Sequence, residues 1–405
     1  VDQIGRDYLT LALSLDRHLE GFIDAYYGPP ELKAEVQCGD PRPLDMLAGD
    51  ARELQQAIDA SGYDAQRKEY LARQTRAMSA VIDNLSGQQL GFVEEVELYF
   101  DVSPQMMDES LFEAAHAQID RLLPGGGSVH QRFSVWEKRL EVERDRVLPV
   151  FERACQEARS RTLDLFELPP DESVRWELVE DQPWRAYNRY LGDHRSLIEV
   201  NTDLPMPVNR VLTGVTHEAY PGHHTEGAIK EYRLYEGQGR AEHAVQILAP
   251  ECVLAEGLAV SALRMIFTET EEAAFLQDEL CPLAGVQIES VEKEIAVARA
   301  LDALRGVTGN AALLLHRDGK PLQEVERYLE RWMVGGPGEV AQAMRFIQIP
   351  LWRSYAFSYT VGKELVAPLL EGPDRVANFA RLLGEPLTPT QVRQWVAERS
   401  AGTEN

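Results

Sequence analysis

The sequence predicts a mainly α protein with a small β element, short strands or a hairpin lying beside one histidine-rich helix. Three observations support this. Apolar residues recur at helical spacing through most of the 405 residues, only two segments alternate as strands do, and those are too few for a doubly wound sheet.

From Tyr8 to about Phe166 the spacing is helical, as in YLTLALSLDRHLEGFI and SLFEAAHAQIDRLL. Pro29-Pro30, Ser103-Pro104 and the run Pro124 to Gly127 divide this half into separate helices. The stretch WEKRLEVERDRVLPVFERACQEARSRTLDLF carries both signs of charge at helical intervals and reads as a solvated amphipathic helix. Pro169-Pro170 marks a change of character, giving an N-terminal helical lobe over 1–168 and a second lobe over 169–405, which could also form one continuous domain with a cleft.

Past that boundary SVRWELV and HRSLIEVNT read as strands, followed by the helix carrying His217. A strand just ahead of that helix could pair through its edge with an extended peptide, though a packing hairpin fits equally well. CVLAEGLAVSALRMIF, from Cys252 to Phe267, reads as a buried helix. VEKEIAVARALDALRG and PLQEVERYLERWMV are helical again, Gly335 to Gly338 is a connector, and a last helical region begins near Val340. There is no low-complexity tract and no convincing repeat.

With 44% hydrophobic residues the chain can build a large core. Its 66 acidic against 41 basic side chains give a formal charge of −25, which opposes binding to phosphate backbones and argues against nucleic acid as a partner. No apolar run reaches the roughly 18 residues of a membrane span. Four scattered cysteines without CxxC spacing, and a first segment lacking a signal peptide's cleavage signature, make the cytoplasm the expected compartment. Beginning at Val1, the chain leaves room for a removed leader.

HEAYPGHH, from His217 to His224, puts three imidazoles and a carboxylate within two helical turns. In HExxH, two histidines four residues apart share a helical face, and the glutamate after the first acts as general base. Here Pro221 stands at the second histidine's place. On a straight helix, six residues advance about 9 Å and leave the side chain about 120° out of phase, so His217 and His223 could not share a metal. Pro221 and Gly222 are residues that break such a helix, and a local bulge would return His223 to the required position. The same residues also suit a helix end with clustered surface histidines. Glu256, alone among apolar residues, needs a partner: a metal, or a salt bridge to Arg264. His243 and Glu251 are rival ligands, and Gly257 would let two helices approach closely.

HEAYPGHH, EGLA at Glu256 to Ala259 and SYTVG at Ser358 to Gly362 together resemble the bacterial "domain of unknown function 885" proteins, which carry HExxPGHH, then EGWA, then PxQAxxYxxG. DAYYGPPEL (Asp24 to Leu32) and LLPGGGSVHQRF (Leu122 to Phe133) agree more weakly, so the resemblance spans most of the chain. Those proteins are regarded as helical zinc peptidases of the glutamate-zincin type, distantly similar to thermostable carboxypeptidases. The resemblance implies one Zn2+ held by His217, His223 and Glu256, with Glu218 as general base and Tyr359 facing the reacting carbonyl. His224 ranks behind His223 as a ligand. Leu258, Glu226, Arg353 and Tyr355 depart from the family's pattern and point to a different substrate pocket.

The expected activity is therefore zinc-dependent hydrolysis of peptides or small amides, with exopeptidase, carboxypeptidase-like action preferred. Tyr355 competes with Tyr359, and Arg353 could clamp a terminal carboxylate. A metal-dependent hydrolase of a non-peptide amide or ester is the alternative. A non-catalytic metal-binding protein is another, although Glu218 argues against it. No GxSxG elbow is present.

Overall fold

Most helices of the N-terminal half begin where the sequence supplies a cap or a proline. In the computed structural model, which describes residues 2–182 and 184–403, α1 (Gln3–Asp16) starts behind Asp2, whose carboxylate accepts from the Gly5 amide. Strand β1 (Ile23–Tyr26) follows, then α2 (Pro30–Gln37), which has proline in its first turn, and α3 (Leu44–Ala60). Next come α4 (Ala65–Leu85), capped by Asp64, α5 (Phe92–Phe100), α6 (Glu109–Leu122) and α7 (Val129–Leu140), which opens with a Ser128/Gln131 capping box. The last is α8 (Arg144–Leu163).

The charged stretch expected as one solvated helix is divided between α7 and α8. The break is a tertiary one: the Val142 amide donates to the Met206 carbonyl, and Glu141 makes an isolated β-bridge with Pro207. One face of α8, through Val147, Val150, Phe151 and Ala154, is buried. Phe151 packs on Trp176 of the neighbouring sheet, with ring centroids 5.0 Å apart.

That sheet has three strands, β2 (Ser173–Val179), β3 (Ala186–Gly192) and β4 (Arg195–Asn201), in the order β2-β4-β3. The expected strands are β2 and β4. Because β4 pairs with β2 in parallel and β3 antiparallel, it is central and has no edge left for a peptide. The edges belong to β2 and β3, and β3 was not anticipated because Asn188 and Arg189 interrupt its apolar alternation.

The histidine-bearing segment then forms α9 (Val208–Glu218) and α10 (His223–Lys230), followed by β5 (Val245–Ile247), which pairs antiparallel with β1, and α11 (Glu251–Ile266). The remaining helices are α12 (Glu269–Phe275), α13 (Cys281–Ala284), α14 (Val291–Asp302), α15 (Gly306–Ala312), α16 (Leu322–Trp332), α17 (Pro337–Gln348), α18 (Ser358–Val366), α19 (Arg375–Gly384) and α20 (Pro389–Thr403). The fold is thus mainly α with two small sheets. One buried cluster runs from Tyr8 to Val392 and takes in both halves of the chain. Among the described residues no helix is long and apolar enough to cross a membrane, and all four cysteines are free.

Candidate metal centre and cleft

Helix α9 ends at Glu218, and the chain turns through a cis Tyr220-Pro221 peptide before restarting as α10 at His223. The expected bulge within one helix is therefore a full break between two. Gly222 is required by closeness: a Cβ there would collide with the carbonyl oxygens of Thr216 and His217. The turn brings the His217 and His223 rings to a centroid distance of 4.8 Å, nearly perpendicular.

Glu256 arrives from α11. That helix lies directly on α18 because Gly257 faces Gly362, and a Cβ on either would strike the other helix's backbone. The close approach also brings Tyr355 and Tyr359 to Glu256. The Tyr355 hydroxyl donates to Glu256 Oε1 at 2.6 Å, and the Tyr359 ring stacks loosely on His217 at 6.4 Å. Glu256 is 3% exposed. Its Oε2 is buried without a hydrogen-bond partner among the described residues, although His217 Nε2 lies 3.4 Å from it and His223 Nε2 lies 3.6 Å from Oε1.

This donor set suits a metal ion. Candidate ligand atoms of His217, His223 and Glu256 all lie within 4.8 Å of one another. The two His–Glu separations, 3.4 and 3.6 Å, are close to the roughly 3.3 Å between neighbouring ligands of tetrahedral zinc with bonds of about 2.0–2.1 Å. An orphaned buried carboxylate oxygen is what such an ion would satisfy. Burial holds His223 down at about 4, so it presents a neutral ring with a lone pair. For His217 burial pulls the same way, but Glu256 and Glu218 outweigh it and raise its proton affinity. Burial also opposes ionisation of Glu256, yet His223, His217 and Tyr355 together hold it below the ordinary carboxylate range.

Glu218 lies beside this cluster on a cavity of about 180 Å³. Burial pushes its carboxyl up to about 7, with the charges of Glu256 and Asp24 adding to the effect and His217 opposing it. Its main-chain carbonyl accepts from Asn188 Nδ2 at 2.5 Å, which ties the end of α9 to β3.

Other candidates lie elsewhere. His224 points away from the cavity, its Nε2 2.9 Å from Glu172 Oε2 and its Nδ1 2.9 Å from Ser196 Oγ. Arg353 does not line the cavity. Its Nε donates to Glu95 Oε1 at 3.0 Å and its Nη2 to Glu95 Oε2, so the expected carboxylate clamp is already closed on a carboxylate of the protein. Arg264 pairs with Glu272 rather than with Glu256. Of the rival ligands, Glu251 accepts from Lys230 at 2.5 Å and from Tyr70 at 2.6 Å, and His243 lies against the Tyr70 ring at 5.0 Å. Glu226 is matched by Lys230 at 2.6 Å.

Several wall residues went unrecognised in the sequence. Asp24 occupies a bulge in β1, where the register slips between Ile23 and Ala25, and such bulges re-aim side chains. It accepts from the Tyr187 hydroxyl, and burial raises its carboxyl to about 6. Its signal was present in DAYYGPPEL, a string matched by resemblance without a chemical role. Asn188, whose buried Oδ1 has no partner among the described residues, carried no signal of its own.

No family model matches the chain, and no curated protein matches it. A chain from Colwellia psychrerythraea, described as a "putative lipoprotein", is similar in fold at 16% identity and a TM-score of 0.54. The match covers 88% of this chain and 66% of that one, so the present chain spans just under two thirds of its length. One from Shewanella oneidensis with the same description gives 13% identity and a TM-score of 0.49 over 87% of this chain and 72% of that one. The BsuCP crystal structure gives 12% identity and a TM-score of 0.47 over 98% and 90%. The first similarity shows a shared fold and nothing of the chemistry.

Proposed function

We propose that the protein is a zinc-dependent hydrolase of peptide bonds, with His217, His223 and Glu256 holding one metal ion. The observation that carries this reading is the buried Glu256 carboxylate, which has His217 at one oxygen, His223 at the other and no hydrogen-bond partner among the described residues for Oε2, with Glu218 lining the same cavity. Resemblance of the HEAYPGHH, EGLA and SYTVG strings to the domain of unknown function 885 proteins supports it independently. Zinc bound there would lower the pKa of a bound water to about 7 and polarise a carbonyl.

The chain's own residues supply the rest. Glu218, with a proton affinity raised toward neutrality, takes a proton from the attacking water and delivers it to the departing amine. The Tyr359 hydroxyl, on the His217 side of the cavity, donates to the carbonyl oxygen as charge develops there. Tyr355 holds Glu256 in place through its hydrogen bond. Strand β3, through Ala186, Tyr187 and Asn188, borders the cavity and can align an extended peptide.

A zinc-loaded preparation should cleave members of a mixed peptide library, read by mass spectrometry, and Glu218→Gln should lower the rate by about 100-fold or more. Equal rates for the two proteins would refute the reading.

A further inference from the structure

The cleft does not end at the first cavity. His217, Glu218 and Tyr359 also line a second cavity, of about 510 Å³. The two have opposite chemistry. The first is walled by Asp24, Glu226 and Glu251, with Lys230 already held between the two glutamates. An anionic group entering there meets uncompensated negative charge.

Three arginines line the second cavity, and two are engaged. Arg185 pairs with Glu339 at 2.6 Å, and Arg210 divides its guanidinium between Glu339 at 3.3 Å and Glu137 at 3.2 Å. Arg305 differs. Its Nε donates to Asp302 at 2.6 Å, and the other oxygen of that carboxylate is taken by Lys363. One anion thus serves two cations, and the two Nη groups of Arg305 have no protein acceptor among the described residues. Its side chain is 39% exposed. Arg305 shares the lining of this cavity with His217, Glu218 and Tyr359, the residues of the proposed reacting centre. In the same wall Asn209 is nine-tenths buried, and its Oδ1 lacks a partner among the described residues.

We infer that Arg305 receives the free α-carboxylate of a peptide in the second cavity, so that the C-terminal residue is the one released. A guanidinium with two unused N–H groups on its outer edge matches a carboxylate in bidentate fashion. Asn209 Oδ1 offers an acceptor for a substrate amide N–H. The reaction consumes one water: the C–N bond to the last residue breaks, a C–O bond forms on the acyl part, and the proton goes to the departing amine. The inference rests on the peptidase reading and replaces Arg353 with Arg305 as the carboxylate-recognising residue.

Binding separates the two ideas. The full-length Glu218→Gln protein, loaded with zinc, is titrated calorimetrically with Ala-Ala-Phe and with its C-terminal amide. The acid should bind about 10- to 100-fold more tightly, Arg305→Ala should abolish most of that preference, and Arg305→Lys should keep part of it. In the active protein Arg305→Ala should raise KM for the acid more than it lowers kcat. Equal binding of acid and amide, or a preference that survives Arg305→Ala, overturns the inference. Glu218-dependent cleavage at internal bonds without an acid preference leaves the peptidase reading standing and removes this one. Acid preference through Arg305 without cleavage of any peptide leaves the carboxylate site at Arg305 standing and removes the peptidase reading together with release of the C-terminal residue.

Discussion

Two buried glutamates each face histidines from the same eight-residue string, and their surroundings are opposite. Glu172 is saturated: its Oε2 takes His224 Nε2 at 2.9 Å and the Tyr220 hydroxyl, and its Oε1 accepts from Arg159 at 2.7 Å. Glu256 has one hydrogen bond, from Tyr355, two histidines at 3.4 and 3.6 Å, and an oxygen with no partner among the described residues. A histidine beside a buried glutamate is therefore not in itself a sign of a metal site. What distinguishes the second cluster is a carboxylate lone pair left unused after every protein hydrogen-bond partner among the described residues has been counted.

The largest effect should follow from removing the unsaturated carboxylate. Glu256→Gln is expected to weaken zinc binding by about 1,000-fold or more, beyond the 10- to 100-fold typical of groups one step from the metal, while the circular dichroism spectrum stays unchanged. Competition against a chromophoric chelator measures this, and unaltered affinity would place the ion elsewhere. Glu172→Gln should do the opposite, leaving zinc affinity nearly intact while lowering stability by about 3 kcal/mol, as breaking a buried pair does. The pH dependence gives that contrast a sign. Burial alone would raise the Glu172 carboxyl, but His224, Tyr220 and Arg159 hold it below its ordinary value. Its contribution is complete above the unfolded pKa of about 4.3 and is lost as pH falls through the lower folded value. Denaturant titrations of the two proteins should therefore differ at neutral pH and converge in acid. A gap that widened in acid would contradict the assignment.

The comparison also explains which parts of the site were legible in the sequence. His217, His223 and Glu256 could be singled out as candidates because a break at Pro221-Gly222 would let the two histidines meet and a carboxylate in an apolar run demands a partner, and the family resemblance then joined the three into one ligand set. How the break is made was not legible, since the fit of Gly222 against the carbonyls of Thr216 and His217 depends on the turn's full geometry. The mainly α class followed from periodicity, yet β1, β3 and β5 escaped it. β1 is four residues long and finds its partner more than 200 residues away, in β5, and β3 mixes polar residues into its alternation. Arg353 shows the same limit from the other side. Its chemistry suits a carboxylate, and only the fold reveals that Glu95, 258 residues distant, already provides one.

The smallest of these effects tests the one hydrogen bond Glu256 receives. Tyr355→Phe removes the donor at Oε1 and leaves the ring against Tyr359 and Trp352. If Tyr355 orients a ligand, zinc affinity should fall by about 10- to 100-fold, and kcat at saturating zinc should stay close to that of the unaltered protein. If the hydroxyl instead serves the reacting carbonyl, kcat should fall with zinc fully bound, and Tyr359→Phe should then cost less than Tyr355→Phe. The observed 2.6 Å bond favours the first outcome: a phenol whose proton is already committed to Glu256 has none to offer a developing oxyanion, whereas Tyr359 makes no such bond among the described residues and remains able to donate.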